Sequence, residues 1–134
     1  MAIVGRKPRN PSLRFQTYVD TSDLTKKSPE KSLVVGLRKS GGRNAYGRIT
    51  VRHRGGGALR KYRMVDFKRQ ERDVAGKIVS VEYDPNRSGF IGLAVYKDGE
   101  KRYVLLPKDV TPGSVFIVAD NAPVKPGNRL QLKN

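Results

Sequence analysis

The sequence predicts an all-β protein: a small closed or sandwiched β fold preceded by an extended basic arm. Three observations carry this. Short apolar runs recur with Gly, Pro, Asp and Asn between them, at the roughly 10–13-residue spacing of strands joined by turns. No stretch repeats apolar residues at the period of a helix. Residues 1–45 hold three of the eight prolines and show no clean period, which reads as an arm ordered by lying on a partner. At 134 residues the chain has room for one domain with such a tail. Residues 46–134 form the expected barrel, long enough for one modest core.

The expected strands follow in order. Residues 47–53 alternate, with Ile49, Val51 and His53 on one side and Arg48, Thr50 and Arg52 on the other, the pattern of a half-buried strand. Residues 62–67 are apolar enough for a second strand, with imperfect alternation. Residues 77–83 send Val79, Val81 and Tyr83 one way, and residues 90–96 do the same with Ile91, Leu93 and Val95. Asp98-Gly99 then signals a tight hairpin, with residues 101–106 as the return strand and Pro107 ending it. Residues 115–119 and a short run at 129–132 complete the set.

Charge is the most uneven property of the chain. It carries 28 Lys+Arg against 12 Asp+Glu, a formal net of +16. Residues 1–72 hold 19 basic and 5 acidic side chains, residues 73–134 only 9 and 7. Residues 38–72 alone hold 12 basic and 2 acidic residues, with six of the 14 glycines. A charge run is by default a solvated face. Here Arg outnumbers Lys nine to three, and Arg is the residue of bidentate phosphate contact. Glycines beside it let backbone N–H groups approach an anion. The window reads as a phosphate-binding surface, and nucleic acid is the partner such an excess calls for.

Other classes drop away. There is no Cys and only one His, so thiolate chemistry, disulfides and His-rich metal clusters are excluded. The longest apolar run, residues 115–119, is too short to span a bilayer. The basic N-terminus (Arg6, Lys7, Arg9, Arg14) has no apolar segment after it. No paired carboxylates or nucleophile elbow suggest catalysis. We expect no enzyme, no cofactor, no metal, no membrane and no small-molecule substrate.

Each motif has a plain reading beside a functional one. Gly55-Gly56-Gly57 is a flexible turn, or a loop admitting an RNA backbone between Arg52, Arg54 and Arg60; it lacks nucleotide-triphosphate-loop spacing. Asp84-Pro85-Asn86-Arg87 is first a turn, from which Arg87 can reach a phosphate. Lys68 and Arg69 extend the basic surface, with Asp66 orienting an Arg. His53, on the apolar side of its strand, reads as a packed structural side chain. Tyr46, Tyr62 and Phe67 can stack on unpaired bases or, for the last two, pack in the core.

The string Ser40-Gly41-Gly42-Arg43-Asn44, Gly47-Arg48-Ile49-Thr50, Arg52-His53, Gly55-Gly56-Gly57, Tyr62-Arg63 and Asp66-Phe67-Lys68-Arg69 closely resembles the bacterial-type large-subunit ribosomal protein L-two family. The likeness continues through Glu82-Tyr83-Asp84-Pro85-Asn86-Arg87-Ser88, Tyr96-Lys97-Asp98-Gly99-Glu100, Arg102-Tyr103, Pro107-Lys108 and Lys125-Pro126-Gly127-Asn128. The resemblance implies an N-terminal arm and an OB-type β-barrel that binds large-subunit ribosomal RNA. Ala58-Leu59 departs from the family's usual His-Lys after the triple glycine. Family members also run on into an SH3-like domain, so the peptidyl-transferase association of that later half is not carried over.

The expected RNA-binding set is Arg43, Asn44, Arg48, Arg52, His53, Arg54, Gly55, Gly56, Gly57, Arg60, Lys61, Arg63, Lys68, Arg69, Arg87 and Arg102. The expected partners are large-subunit ribosomal RNA and neighbouring ribosomal proteins, on a cytoplasmic or organellar ribosome. The competing readings are a free-standing OB-type binder of single-stranded RNA or DNA and a protein–protein scaffold. The 7% aromatic content counts against the single-strand binder.

Overall fold

The computed structural model describes residues 3–25, 28–69, 73–108 and 110–130. The protein is all-β, with no α-helix among the described residues, and its barrel is built on four antiparallel strands. These are β5 (Ala75–Glu82), β6 (Ile91–Tyr96), β7 (Lys101–Leu105) and β8 (Val115–Ile117), in spatial order β7-β6-β5-β8. The Asp98-Gly99 hairpin forms as expected. Gly99 has φ +86°, its N–H donates to the Tyr96 carbonyl at 3.0 Å, and Asp98 Oδ1 accepts from the Glu100 N–H at 2.9 Å. An Asp-Gly pair suits this because only glycine takes positive φ without a Cβ penalty.

Both outer edges of this sheet receive chain in parallel. Val65 bridges Tyr103 of β7, and Arg129 bridges Val118 just past β8. Four earlier strands are shorter. β1 (Ile3–Gly5) pairs with β2 (Thr17–Val19), and β3 (Val34–Gly36) pairs with β4 (Lys61–Arg63). Within the segment expected as an arm, β1 and β2 thus make a hairpin. A turn at Pro11–Leu13 joins them, with the Asn10 side chain accepting the Leu13 N–H; Pro at the first helical position and Asn at the cap are the usual chemistry.

Two apolar clusters lie on opposite faces of the sheet. Ile78, Ala94, Tyr96, Val104, Phe116 and Val118 form the larger one. Ile91, Leu93 and Tyr103 form the other, covered by Leu33 and Val65. Burial of each large apolar side chain contributes about 1.5–3 kcal/mol, so the covering segment also stabilises the barrel. Polar contacts follow the same path. The Glu30 N–H donates to the Tyr103 hydroxyl at 2.9 Å, which donates to Glu82 at 2.8 Å; the Ser80 hydroxyl donates to Glu82's other oxygen at 2.8 Å. Thr25 lies beside Val81, its N–H donating to the Val81 carbonyl at 2.9 Å.

Three strand expectations need correction. The strand expected over residues 62–67 is cut short: only β4 (Lys61–Arg63) forms, Val65 makes an isolated bridge, and the chain bends at Phe67 and Lys68. Residues 47–53 form no strand: Ile49 makes a single bridge to Arg43, and residues 51–53 turn away. Ile49 and Val51 are exposed, because no neighbouring strand or covering layer receives them. His53 is likewise exposed, with φ +62°, so it is not a packed core residue. In β5 the alternation misassigns the faces. The register shifts between Ile78 and Ser80, leaving Val79 and Tyr83 exposed while Ile78, Ser80 and Val81 are buried. One extra residue at a bulge is enough to reverse facing.

Candidate nucleic-acid interface

The expected site residues fall on two structurally different parts of the chain. The first is the long connection between β3 and β4, residues 37–60. Apart from Gly41 and Gly42, every residue in it is exposed. It is nevertheless shaped. Arg43 and Ile49 form an antiparallel bridge, the Asn44 N–H donates to the Arg48 carbonyl at 3.0 Å, and the Gly47 N–H donates back to the Asn44 carbonyl at 3.0 Å. The Asn44 side chain accepts the N–H groups of Tyr46 and Arg48 at 3.0 and 3.1 Å. Asn, whose short amide bonds the backbone locally, stabilises such a turn.

The base of this small hairpin depends on Gly42. Its carbonyl accepts the N–H groups of Thr50 and Val51 at 2.9 and 3.2 Å. A Cβ there would run into the Val51 carbonyl oxygen, and φ is +75°. Further along, Lys39 Nζ donates to the Gly56 carbonyl at 2.5 Å, tying the triple glycine to the start of the connection. A Cβ at Gly55 or Gly56 would meet nothing within 4 Å, so the chain's own packing does not demand glycine at either. Lys39 stands outside the expected site set, although it lies inside the basic window.

Arg43, Arg48, Arg52 and Arg54 project from this connection. Among the described residues, no carboxylate forms an ion pair with any of them. With His53 they place four guanidinium groups and an imidazole within twelve residues. Lys61 and Lys68 are also exposed.

The remaining expected arginines are engaged by the fold. Arg60 donates to the Pro85 carbonyl at 3.0 Å, and Asn86 donates to the Lys61 carbonyl at 3.0 Å, docking the 84–87 turn against β4. Arg87 pairs with fully buried Asp84 at 2.5 Å and lies over the Phe67 ring. Arg102 pairs with Asp66 at 3.1 Å and Glu100 at 2.9 Å. Arg63 donates to the Lys61 carbonyl, while its Nε is buried without a hydrogen-bond partner.

Arg69 spans two barrel segments. It donates to the carbonyls of Leu105 at 2.7 Å and Gly127 at 3.0 Å and stacks on Phe116. Nearby, Arg129 donates to the Lys68 carbonyl. Burial lowers the Arg69 pKa from its ordinary value. At Asp66, burial pushes the carboxyl up, but the Arg69 and Lys68 N–H groups and the Arg102 guanidinium outweigh it and hold it below its usual value. Asp66 does orient arginine, as expected, and in doing so it draws Arg102 into the fold.

Basic residues also gather on the β1–β2 hairpin, where Arg6 lies over Tyr18 at 5.0 Å and Arg14 over Phe15 at 5.5 Å. No helix among the described residues is long and apolar enough to cross a membrane.

An exposed, glycine-containing connection rich in arginine without an ion-pair partner among the described residues, mounted on a small β-barrel, is suited to bind a phosphate backbone. A family model described as Ribosomal Proteins L2, RNA binding N-terminal domain, matches residues 30–118, which take in β3 to β8 and the whole 37–60 connection. The chain belongs to that family of ribosomal RNA-binding domains.

Proposed function

We propose that this chain holds and helps fold large-subunit ribosomal RNA within the ribosome, without catalysis of its own. The observation that carries the reading is the 37–60 connection, whose Arg43, Arg48, Arg52 and Arg54 are exposed and have no ion-pair partner among the described residues. Phosphate neutralisation supplies affinity, and RNA shape supplies specificity, because the A-form major groove is too deep and narrow for side chains to read. The open space at Gly55 and Gly56 lets backbone meet backbone. In this reading the β1–β2 hairpin serves as an arm along the RNA, while Thr25, Glu30, Leu33 and β3 stay docked on the barrel. The less charged 73–134 half faces neighbouring ribosomal proteins. No cofactor, membrane or small-molecule substrate takes part.

The test is competition at physiological salt. Labelled large-subunit ribosomal RNA bound by this chain is challenged with unlabelled ribosomal RNA, unrelated structured RNA, single-stranded RNA and duplex DNA of equal length. The expected result is that only the ribosomal RNA competes well. Equal competition by all four reduces the surface to a polyanion binder, and preferential competition by single-stranded RNA supports the single-strand reading instead. Arg52→Ala or Arg54→Ala should also make the log–log salt dependence shallower by roughly 0.7–0.9 for each phosphate no longer neutralised.

A further inference from the structure

We propose that the tip of the 43–49 hairpin is a stacking site for an unpaired RNA base, with Tyr46 as its platform. This rests on the RNA-binding reading above and specifies which part of the RNA is held there. Tyr46 is 89% exposed. Other aromatic residues of the basic regions have one ring face already taken by a guanidinium: Tyr18 by Arg6, Phe15 by Arg14, and Phe67 by Arg87. Tyr62 lies within β4. Among the described residues, no guanidinium or second ring covers Tyr46.

The backbone under Tyr46 is held in place. Its N–H and that of Arg48 both go to the Asn44 side chain, and two main-chain bonds close the turn between Asn44 and Arg48. Gly47, at φ +74°, lets the chain reverse directly after the ring. A platform ordered in advance loses little entropy on binding. Arg43 and Arg48 stand on the two arms of the hairpin, so a phosphate held by either brings its nucleotide beside the ring. A base within a duplex has both faces covered by its neighbours. The ring therefore selects an unpaired base in a bulge, loop or single-stranded overhang, and stacking accepts any base identity.

The chain contains no Trp, so Tyr46→Trp installs a single indole reporter at the proposed site. The probes are a large-subunit ribosomal RNA transcript, single-stranded oligoadenylate and a blunt RNA duplex matched in phosphate, at low salt. Stacking predicts quenched indole emission with the transcript and the oligoadenylate. The duplex should leave emission unchanged, although anisotropy of the labelled duplex reports binding. Tyr46→Ala should weaken transcript binding about 5- to 150-fold with an unaltered salt slope, while Tyr46→Phe keeps the parent affinity. Emission unmoved by a bound transcript, equal quenching by the duplex, or an unchanged Tyr46→Ala affinity each overturns the stacking site and leaves RNA binding standing. Failure of the parent chain to bind the transcript overturns the RNA reading and the stacking site with it.

Discussion

The 37–60 connection and the barrel carry the same residue type in opposite states. In the connection, Arg43, Arg48, Arg52 and Arg54 are exposed and unpaired by carboxylates among the described residues. On the barrel, Arg87 is held by Asp84, Arg102 by Asp66 and Glu100, and Arg69 by two main-chain carbonyls and the Phe116 ring. The difference lies in what surrounds each guanidinium. Barrel turns bring carboxylates and carbonyls within hydrogen-bond reach, whereas residues 31–65 contain no Asp or Glu at all. A guanidinium whose N–H groups the fold has already engaged thus has fewer donors left for an external anion.

This contrast can be broken from either side. The largest effect should come from replacing Arg43, Arg48, Arg52 and Arg54 together with Gln. RNA affinity should fall on the order of 100-fold or more at low salt, with a shallower salt slope, while the thermal midpoint stays at its parent value. Titration at several salt concentrations together with a melting curve checks both halves. A midpoint that falls with the affinity would show that the connection supports the fold.

Arg69→Gln should do the reverse. Loss of the link between Leu105 and Gly127 should destabilise the barrel by about 1–3 kcal/mol, read by denaturant unfolding, with the salt slope of RNA binding unchanged. A shallower slope in this variant would return Arg69 to the RNA-facing surface.

Gly42→Ala sharpens the comparison within the connection itself. The added Cβ meets the Val51 carbonyl at a positive φ, a strain of about 1–3 kcal/mol. The hairpin carrying Arg43 and Arg48 should be displaced and RNA affinity reduced, by less than in the fourfold variant, with barrel unfolding unaltered. Isothermal titration beside a melt separates the two.

The smallest effect is in alkaline stability. Burial raises the Tyr103 hydroxyl from 10.0 to about 12, so the folded state holds that proton more tightly than the unfolded chain. Its contribution is complete below pH 10 and is lost as pH rises through about 12. Tyr103→Phe should flatten the fall of unfolding free energy across that window, measured by denaturant titration at stepped pH. An unchanged slope would remove Tyr103 as the titrating group.

Much of the fold is legible in the residues alone. The Asp98-Gly99 hairpin and strands β5 to β8 lie close to their expected positions, because turn chemistry and apolar runs are local. The expected strand at residues 47–53 is the main departure. Its alternation is genuine, but a strand needs a partner, and glycines at 41, 42 and 47 bend the chain onto itself instead. The faces of β5 escape a period-two reading because a bulge leaves no mark on that pattern. The short run expected at 129–132 is present at Arg129 as a bridge to Val118, and its last two residues lie outside the described residues.

The sequence by itself determined the all-β class, the concentration of charge before residue 73, and the family motifs between Ser40 and Asn128. Each of these is a property of composition or local spacing. Tertiary structure alone decided which arginines meet acceptors within the protein. Asp66 and Arg102 are thirty-six positions apart, as are Arg69 and Leu105, and Glu30 meets Tyr103 across seventy-three. Such pairings depend on how the sheet brings distant segments together, and whether a guanidinium meets water or a protein acceptor follows from that packing.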